Sequence, residues 1–132
     1  MAEQHPNVLR YMQGIRAFND NDIGAVARYF SEDIVYRIPG RSPVAGEFHG
    51  IEQFARALKL VKELSGGTIK FEPQLVLAND QAVMVYGHAT AQRKGKTLNI
   101  DHAYLYRFNK EGKIIEGRTI PVDLHAFDEF WS

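Results

Sequence analysis

The apolar residues of this chain change their spacing once, and the change falls on Gly66-Gly67. Before that pair they recur every three or four residues, and after it they alternate. Helices therefore come first and a sheet last, which limits the chain to folds with helices packed on one face of an antiparallel sheet. In the helical half, Val8, Met12, Ile15 and Phe18 predict a helix over 7–18, with Pro6 suited to its start. Asn19-Asp20-Asn21-Asp22 is a turn signal, and Asp20 or Asp22 can cap a second short helix carrying Ile23, Val26, Ala27 and Phe30, ended by Ser31-Glu32-Asp33. Ile51, Phe54, Leu58, Val61 and Leu64 stripe a third helix that the two glycines end. Val8, Met12, Ile15, Phe54, Leu58 and Val61 are expected in the core.

Strand signals are shorter in the first half and longer in the second. Residues 34–38 form a β-prone run stopped by Pro39-Gly40, and 41–50 reads as a loop. Residues 68–77 alternate around Pro73, which marks a bulge or an edge. Residues 81–93 and 96–108 are two long strands turned at Lys94-Gly95. After the hairpin turn Asn109-Lys110-Glu111-Gly112, 113–123 is the last strand. Residues 124–131 read as a short helix or an extended arm.

At 132 residues this is one domain, 1–132, long enough for a real core. Sixteen basic residues balance sixteen acidic ones, so there is no basic excess for nucleic acid. The absence of cysteine excludes thiolate metal sites and a cysteine nucleophile. No stretch approaches the roughly 20 apolar residues that span a bilayer. The N-terminal run MAEQHPNVLR lacks an apolar signal core. A cytoplasmic protein without membrane or nucleic-acid partners is expected.

The order of elements, with several local strings, resembles the nuclear-transport-factor-two-like superfamily and, within it, the SnoaL-like and ketosteroid-isomerase-like group. The strings are Ala17-Phe18-Asn19-Asp20-Asn21-Asp22, Phe30-Ser31-Glu32-Asp33-Ile34-Val35-Tyr36, Pro39 to Gly46 with Phe48-His49-Gly50, Tyr106 to Ile114, and Asp123 to Trp131. The resemblance implies an α+β fold of the cystatin-like α+β barrel type. A cone-shaped, bent antiparallel sheet carries three helices from the N-terminal half on its concave face, around an apolar pocket. It also implies a homodimer through the outer sheet face. The fold hosts isomerases, dehydratases, cyclases, epoxide hydrolases and non-enzymes, so it does not name a reaction.

Ketosteroid isomerase uses a carboxylate base with a tyrosine and a protonated aspartate as donors. By the flanking strings those positions fall on Ile38, Gly14 and Tyr104, so the base is missing and that mechanism is rejected. If Tyr104 faces the pocket, so do Ile100, His102, Tyr106 and Phe108, while Asp101, Leu105 and Arg107 face outward. Met84, Tyr86, His88 and Thr90 share one face of their strand. Ile115, Gly117, Thr119, Pro121 and Asp123 share one face of theirs, and Tyr36 and Ile38 one face of the first. A bulge inverts any such set.

Asp123 is the first candidate for catalysis, since an aspartate near this point serves SnoaL-like cyclases as general acid/base; the alternative is a helix cap. His102 is its expected partner, and His88 is the second pocket histidine. Tyr36, Ile38, Tyr86, His88, Tyr104 and Tyr106 are expected to line the substrate site, the tyrosines offering donors on an apolar wall suited to flat or polycyclic ligands. His49 and Arg41 are rim candidates better read as solvated. Asp101, Arg118 and Asp123 offer the residue types of an epoxide-hydrolase arrangement, but parity sends the first two outward. No metal and no cofactor is expected. The expected activity is cofactor-free isomerisation, cyclisation or dehydration (an isomerase or lyase) of a small apolar oxygenated molecule. The alternative is a non-catalytic ligand-binding or dimerisation module.

Overall fold

Helix α1 (Pro6–Asn19) begins at the proline that the sequence marks, and His5 caps it by accepting from the Asn7 backbone N–H at 3.1 Å. The computed structural model describes residues 5–132; the first four residues of the N-terminal run lie outside it. Tyr11, not Met12, takes the inward position on α1, and Met12 is 37% exposed. Asp22 caps α2 (Ile23–Ala27) by accepting from Ala25 N–H at 3.1 Å. Strand β1 (Phe30–Ile38) starts earlier than the apolar run suggests, so Phe30 and Ser31-Glu32-Asp33 are strand and not the end of a helix. Within the segment read as a loop, β2 (Gly46–His49) pairs antiparallel with β1. Four residues are too few to show a period. Helix α3 (Ile51–Leu64) ends at Gly66 and Gly67, whose φ values of 59° and 76° suit glycine.

The remaining strands are β3 (Lys70–Ala78), β4 (Ala82–Arg93), β5 (Lys96–Phe108) and β6 (Ile114–Pro121), followed by α4 (Leu124–Trp131), a helix and not an extended arm. The six strands form one curved, unclosed sheet in the order β2-β1-β6-β5-β4-β3. Every pair is antiparallel except β1 with β6, which run parallel and so depart from the antiparallel sheet expected. Parallel strands need a long connection, and here residues 39–113 supply it.

The concave face holds the core. Val83, Val85, Ala89 and Ala91 of β4, with Leu98 and Tyr106 of β5, are buried there against Tyr11, Phe54 and Phe71. Pro73 makes the expected bulge, since the β3–β4 register shifts between Pro73 and Leu75. Opposite it sits Gly87, where a Cβ would lie 2.2 Å from the Glu72 carbonyl oxygen. Lys62 is buried without a carboxylate partner. Its ammonium donates to the carbonyls of Phe18 (2.6 Å) and Ile69 (3.3 Å) and lies 3.8 Å above the Phe18 ring. Burial lowers its pKa to about 8. This lysine ties α3 to the end of α1 and so fixes the helical roof over the sheet.

Candidate active site

A cavity of about 120 Å³ lies between the concave face and the helices. It is slightly smaller than the roughly 150 Å³ engineered cavity that holds benzene. Gly14, Ile38 and Tyr104, the three positions matched to the isomerase groups, all line it. No Asp or Glu does, so a carboxylate base is absent from its wall.

Of the set expected to face the pocket from β5, His102, Tyr104 and Tyr106 line the cavity and Ile100 and Phe108 do not, with Tyr36 and Ile38 from β1 beside them. Tyr104 and Tyr106 stack with centroids 6.0 Å apart. Tyr36 Oη and Thr119 Oγ1 are 2.8 Å apart, a bond made across the parallel β1–β6 pair. His102 is 2% exposed, and its Nδ1 lies 3.1 Å from Tyr104 Oη. Its Nε2 is buried with no hydrogen-bond partner, and its ring packs edge-on against Phe127 of α4 at 5.4 Å. Burial pushes the His102 pKa down to about 4, helped by the charge of His88, so the imidazole is neutral at pH 7. Burial likewise holds Tyr104 and Tyr106 well above the usual phenol range.

Tyr86 and His88 are on the other face. The two-residue turn Lys94-Gly95 (φ 50° and 77°) sets the β4–β5 register, which places His88 opposite Asp101 and Tyr86 opposite Ala103. Residues opposite one another share a face, so both side chains follow Asp101 outward. Tyr86 Oη donates to Asp101 Oδ2 (2.9 Å), and His88 Nδ1 pairs with Asp101 Oδ1 (2.8 Å). Its hydrogen bond to Asp101 raises the His88 pKa. The register was readable from the turn, because counting outward from Lys94-Gly95 pairs residue 88 with 101.

Asp123 is exposed and does not line the cavity. Pro121 ends β6, and the Asp123 carboxylate caps α4 by accepting from Ala126 N–H at 3.0 Å. The parity set of β6 also breaks. A register shift between Arg107 and Phe108 buries Ile114 and turns Ile115 outward, while Gly117 and Thr119 stay inside. His49 is exposed and bonded to Glu47, and Arg41 offers only its backbone N–H, to Asp128. Neither lines the cavity, and neither do Asp101 and Arg118. Among the described residues no group of three or more acidic or histidine side chains could hold a metal, and no helix is long and apolar enough to cross a membrane.

Arg10 and Tyr11, which the sequence did not single out, line the cavity together with Trp131. Tyr11 sits beside the apolar-stripe position Met12, and only the packing of α1 shows which one turns in. Tyr11 Oη and Trp131 Nε1 join His102 Nε2 as buried polar atoms without partners. Buried polar groups are rarely left so, and all three belong to residues of one cavity lining.

Since Asp123 is a cap, Asp123→Ala is expected to cost about 1 kcal/mol, while Asp123→Asn, an equally good N-cap, costs little. Urea unfolding of the three proteins checks this.

A curved α+β sheet with helices over an apolar cavity is the architecture of the nuclear-transport-factor-two-like superfamily. The family described as SnoaL-like domain matches residues 8–117, and the chain belongs to it. Bal32a, from a soil-derived mobile gene cassette, is 33% identical over 96% of each chain, with a TM-score of 0.90. TerC, co-crystallized with polyporic acid, is 22% identical over 96% of this chain and 98% of its own, with a TM-score of 0.83, a likeness of fold alone. An uncharacterized protein of Mycobacterium tuberculosis is 28% identical over 118 residues, 88% of each chain.

Proposed function

We propose that the protein is a cofactor-free isomerase that moves a proton within a small, enolisable, ring-bearing carbonyl compound, with His102 and Tyr104 as its acid/base pair. The observation that carries this is the contact of His102 Nδ1 with Tyr104 Oη at 3.1 Å, with Nε2 left unpaired inside an apolar cavity. Burial disfavours both the imidazolium and the phenolate. A stepwise transfer through either ion is therefore costly. A coupled transfer creates neither: Nε2 takes a proton from the carbon next to the carbonyl as Nδ1–H passes its proton to the Tyr104 oxygen. The Tyr104 proton moves to the carbonyl oxygen. In a β,γ-unsaturated substrate the product is a dienol, the charge stays balanced, and return of the proton from Nε2 to the γ-carbon, with the enol proton passing back through Tyr104 to Nδ1, completes an isomerisation. Tyr104 takes the partner role that the sequence suggested for Asp123.

The test is exchange of the α-protons of cyclohexanone in D₂O, followed by proton NMR. Exchange faster than in buffer is expected. Binding without acceleration, read from the fluorescence of Trp131, the single tryptophan, overturns the reading in favour of a ligand-binding module.

The outer face bears on assembly. The β3–β4–β5 registers align Leu77, Met84 and Leu105, and beside them Leu75, Tyr86 and Ala103, with Ile120 next on β6. Leu75 and Leu77 are 54% and 59% exposed. An apolar patch of this kind, bordered by Arg118 and Asp101, complements itself across a two-fold axis, and we infer a homodimer through it. Sedimentation is expected to give twice the chain mass, and Leu77→Glu to give the monomer; a monomeric wild type overturns this.

A further inference from the structure

We propose that the substrate is a one-ring carboxylic acid whose carboxylate is held by Arg10 and Tyr11 at the α1 end of the cavity. This assignment rests on the acid/base reading above and names its substrate class. Arg10 is the one side chain of the lining that carries a full charge at pH 7, since the wall holds no Asp, Glu or Lys and His102 is neutral. Its hydrogen-bond partner is the neutral amide oxygen of Asn7, at 2.7 Å, and no carboxylate lies within ion-pair distance among the described residues. The turn after β5 brings Gly112 under the guanidinium. A Cβ there would come within 3.0 Å of Arg10 Cζ, and the φ of +80° keeps the position for glycine. Arg10 is thus backed by Gly112 and lines the cavity.

Tyr11 is the next residue and supplies the second, independent observation. It is 6% exposed, and its hydroxyl has no partner. Burial keeps that hydroxyl protonated. A guanidinium and a phenol on the same cavity lining, with no acceptor charge there, offer donors to an anion and leave a cation or a neutral donor unmatched. The two ends of the cavity are far apart. Tyr11 packs on Tyr106, with ring centroids 5.8 Å apart. His102 lies four residues back along β5, roughly 13 Å by strand rise. A ring between them presents an acid at one end and an enolisable carbonyl at the other.

The probes are 4-oxocyclohexane-1-carboxylate and its primary amide, with binding followed by Trp131 fluorescence and α-proton exchange by NMR. The carboxylate is expected to bind about tenfold more tightly than the amide at low salt, the size of one charge-assisted hydrogen-bond gain, and less so as salt rises. Arg10→Gln, a change at an exposed side chain, is expected to abolish that preference. Equal affinity of the two probes in the wild type overturns the assignment, as does a preference that survives in Arg10→Gln. Accelerated exchange of cyclohexanone with no carboxylate preference overturns this assignment and leaves the acid/base reading standing. A carboxylate preference with no exchange of any probe supports the anion site and overturns the catalytic reading.

Discussion

Replacing His102 by glutamine lowers the rate of α-proton exchange by about 10²–10⁴-fold, the share that a positioned acid/base group contributes. Glutamine fills a similar space and can still meet Tyr104, but it cannot both accept and release a proton. Tyr104→Phe is expected to lower the rate as well, and the double variant to be no slower than the worse single one, because the two groups act as one path. The same His102 variant has a signature in stability. With a folded pKa of about 4 against roughly 6.5 when unfolded, the unfolded chain binds more protons between those values. His102 therefore lets stability stand in full above pH 6.5 and removes it as pH falls towards 4, by about 3 kcal/mol at the lower end. His102→Gln flattens that limb. His88 acts in the opposite sense, since its raised pKa favours the fold below about 6.5 and that support fades as pH rises through the elevated value. Urea midpoints from pH 4 to 8 separate the two. An unchanged acid limb in His102→Gln would show that the imidazole is not buried in the way described.

Gly87→Ala destabilises the protein by about 3 kcal/mol or more, near the upper end for an overpacked core position. The added carbon would lie 2.2 Å from the Glu72 carbonyl oxygen, 2.6 Å from Phe71 Cζ and 2.9 Å from Pro73 Cα. Two of these are backbone atoms at the β3 bulge, so rotamer changes alone cannot relieve the overlap. The loss is expected as a fall of on the order of 10 °C in melting temperature. Gly14→Ala provides the contrast. Its nearest neighbour would be Tyr29 Cδ2 at 3.7 Å, an ordinary contact, and alanine gains about 0.5–1 kcal/mol over glycine inside a helix. A Gly87→Ala protein that melts with the wild type would mean that the bulge is not packed against β4.

These two residues also show what the sequence made legible. His102 is visible because β5 pairs with β4 without a shift from Lys96 to Arg107, so one inward residue fixes its neighbours. Asp123 misleads because a carboxylate beyond a strand can serve as a catalyst or a cap, and only Pro121 and the Ala126 N–H decide between them. Tyr86 and His88 needed the pairing of two strands, which the Lys94-Gly95 turn carried, and not the alternation of one. Strand β2 and the early start of β1 are invisible to periodicity because one is too short and the other opens on polar residues. The parallel β1–β6 contact has no local signal at all, being made between segments some eighty residues apart: Tyr36 meets Gly117. Arg10 and Tyr11 escaped because a helix shows its apolar stripe more readily than the edge of that stripe.

That long-range contact governs when the chain can work during its own synthesis. While β6 is still inside the ribosome, the emerged helices and first strands have nothing to lock Tyr36 in place, and its bond to Thr119 cannot form. The nascent domain exposes its future interior until the last strand is released, and α4, whose Phe127 and Trp131 seal the far wall, follows later still. Pairings this distant in sequence are intrinsically slow to close. The interval between emergence and closure is the period in which this protein is most open to aggregation or to a chaperone, and its length depends on β6 and α4 more than on the earlier strands.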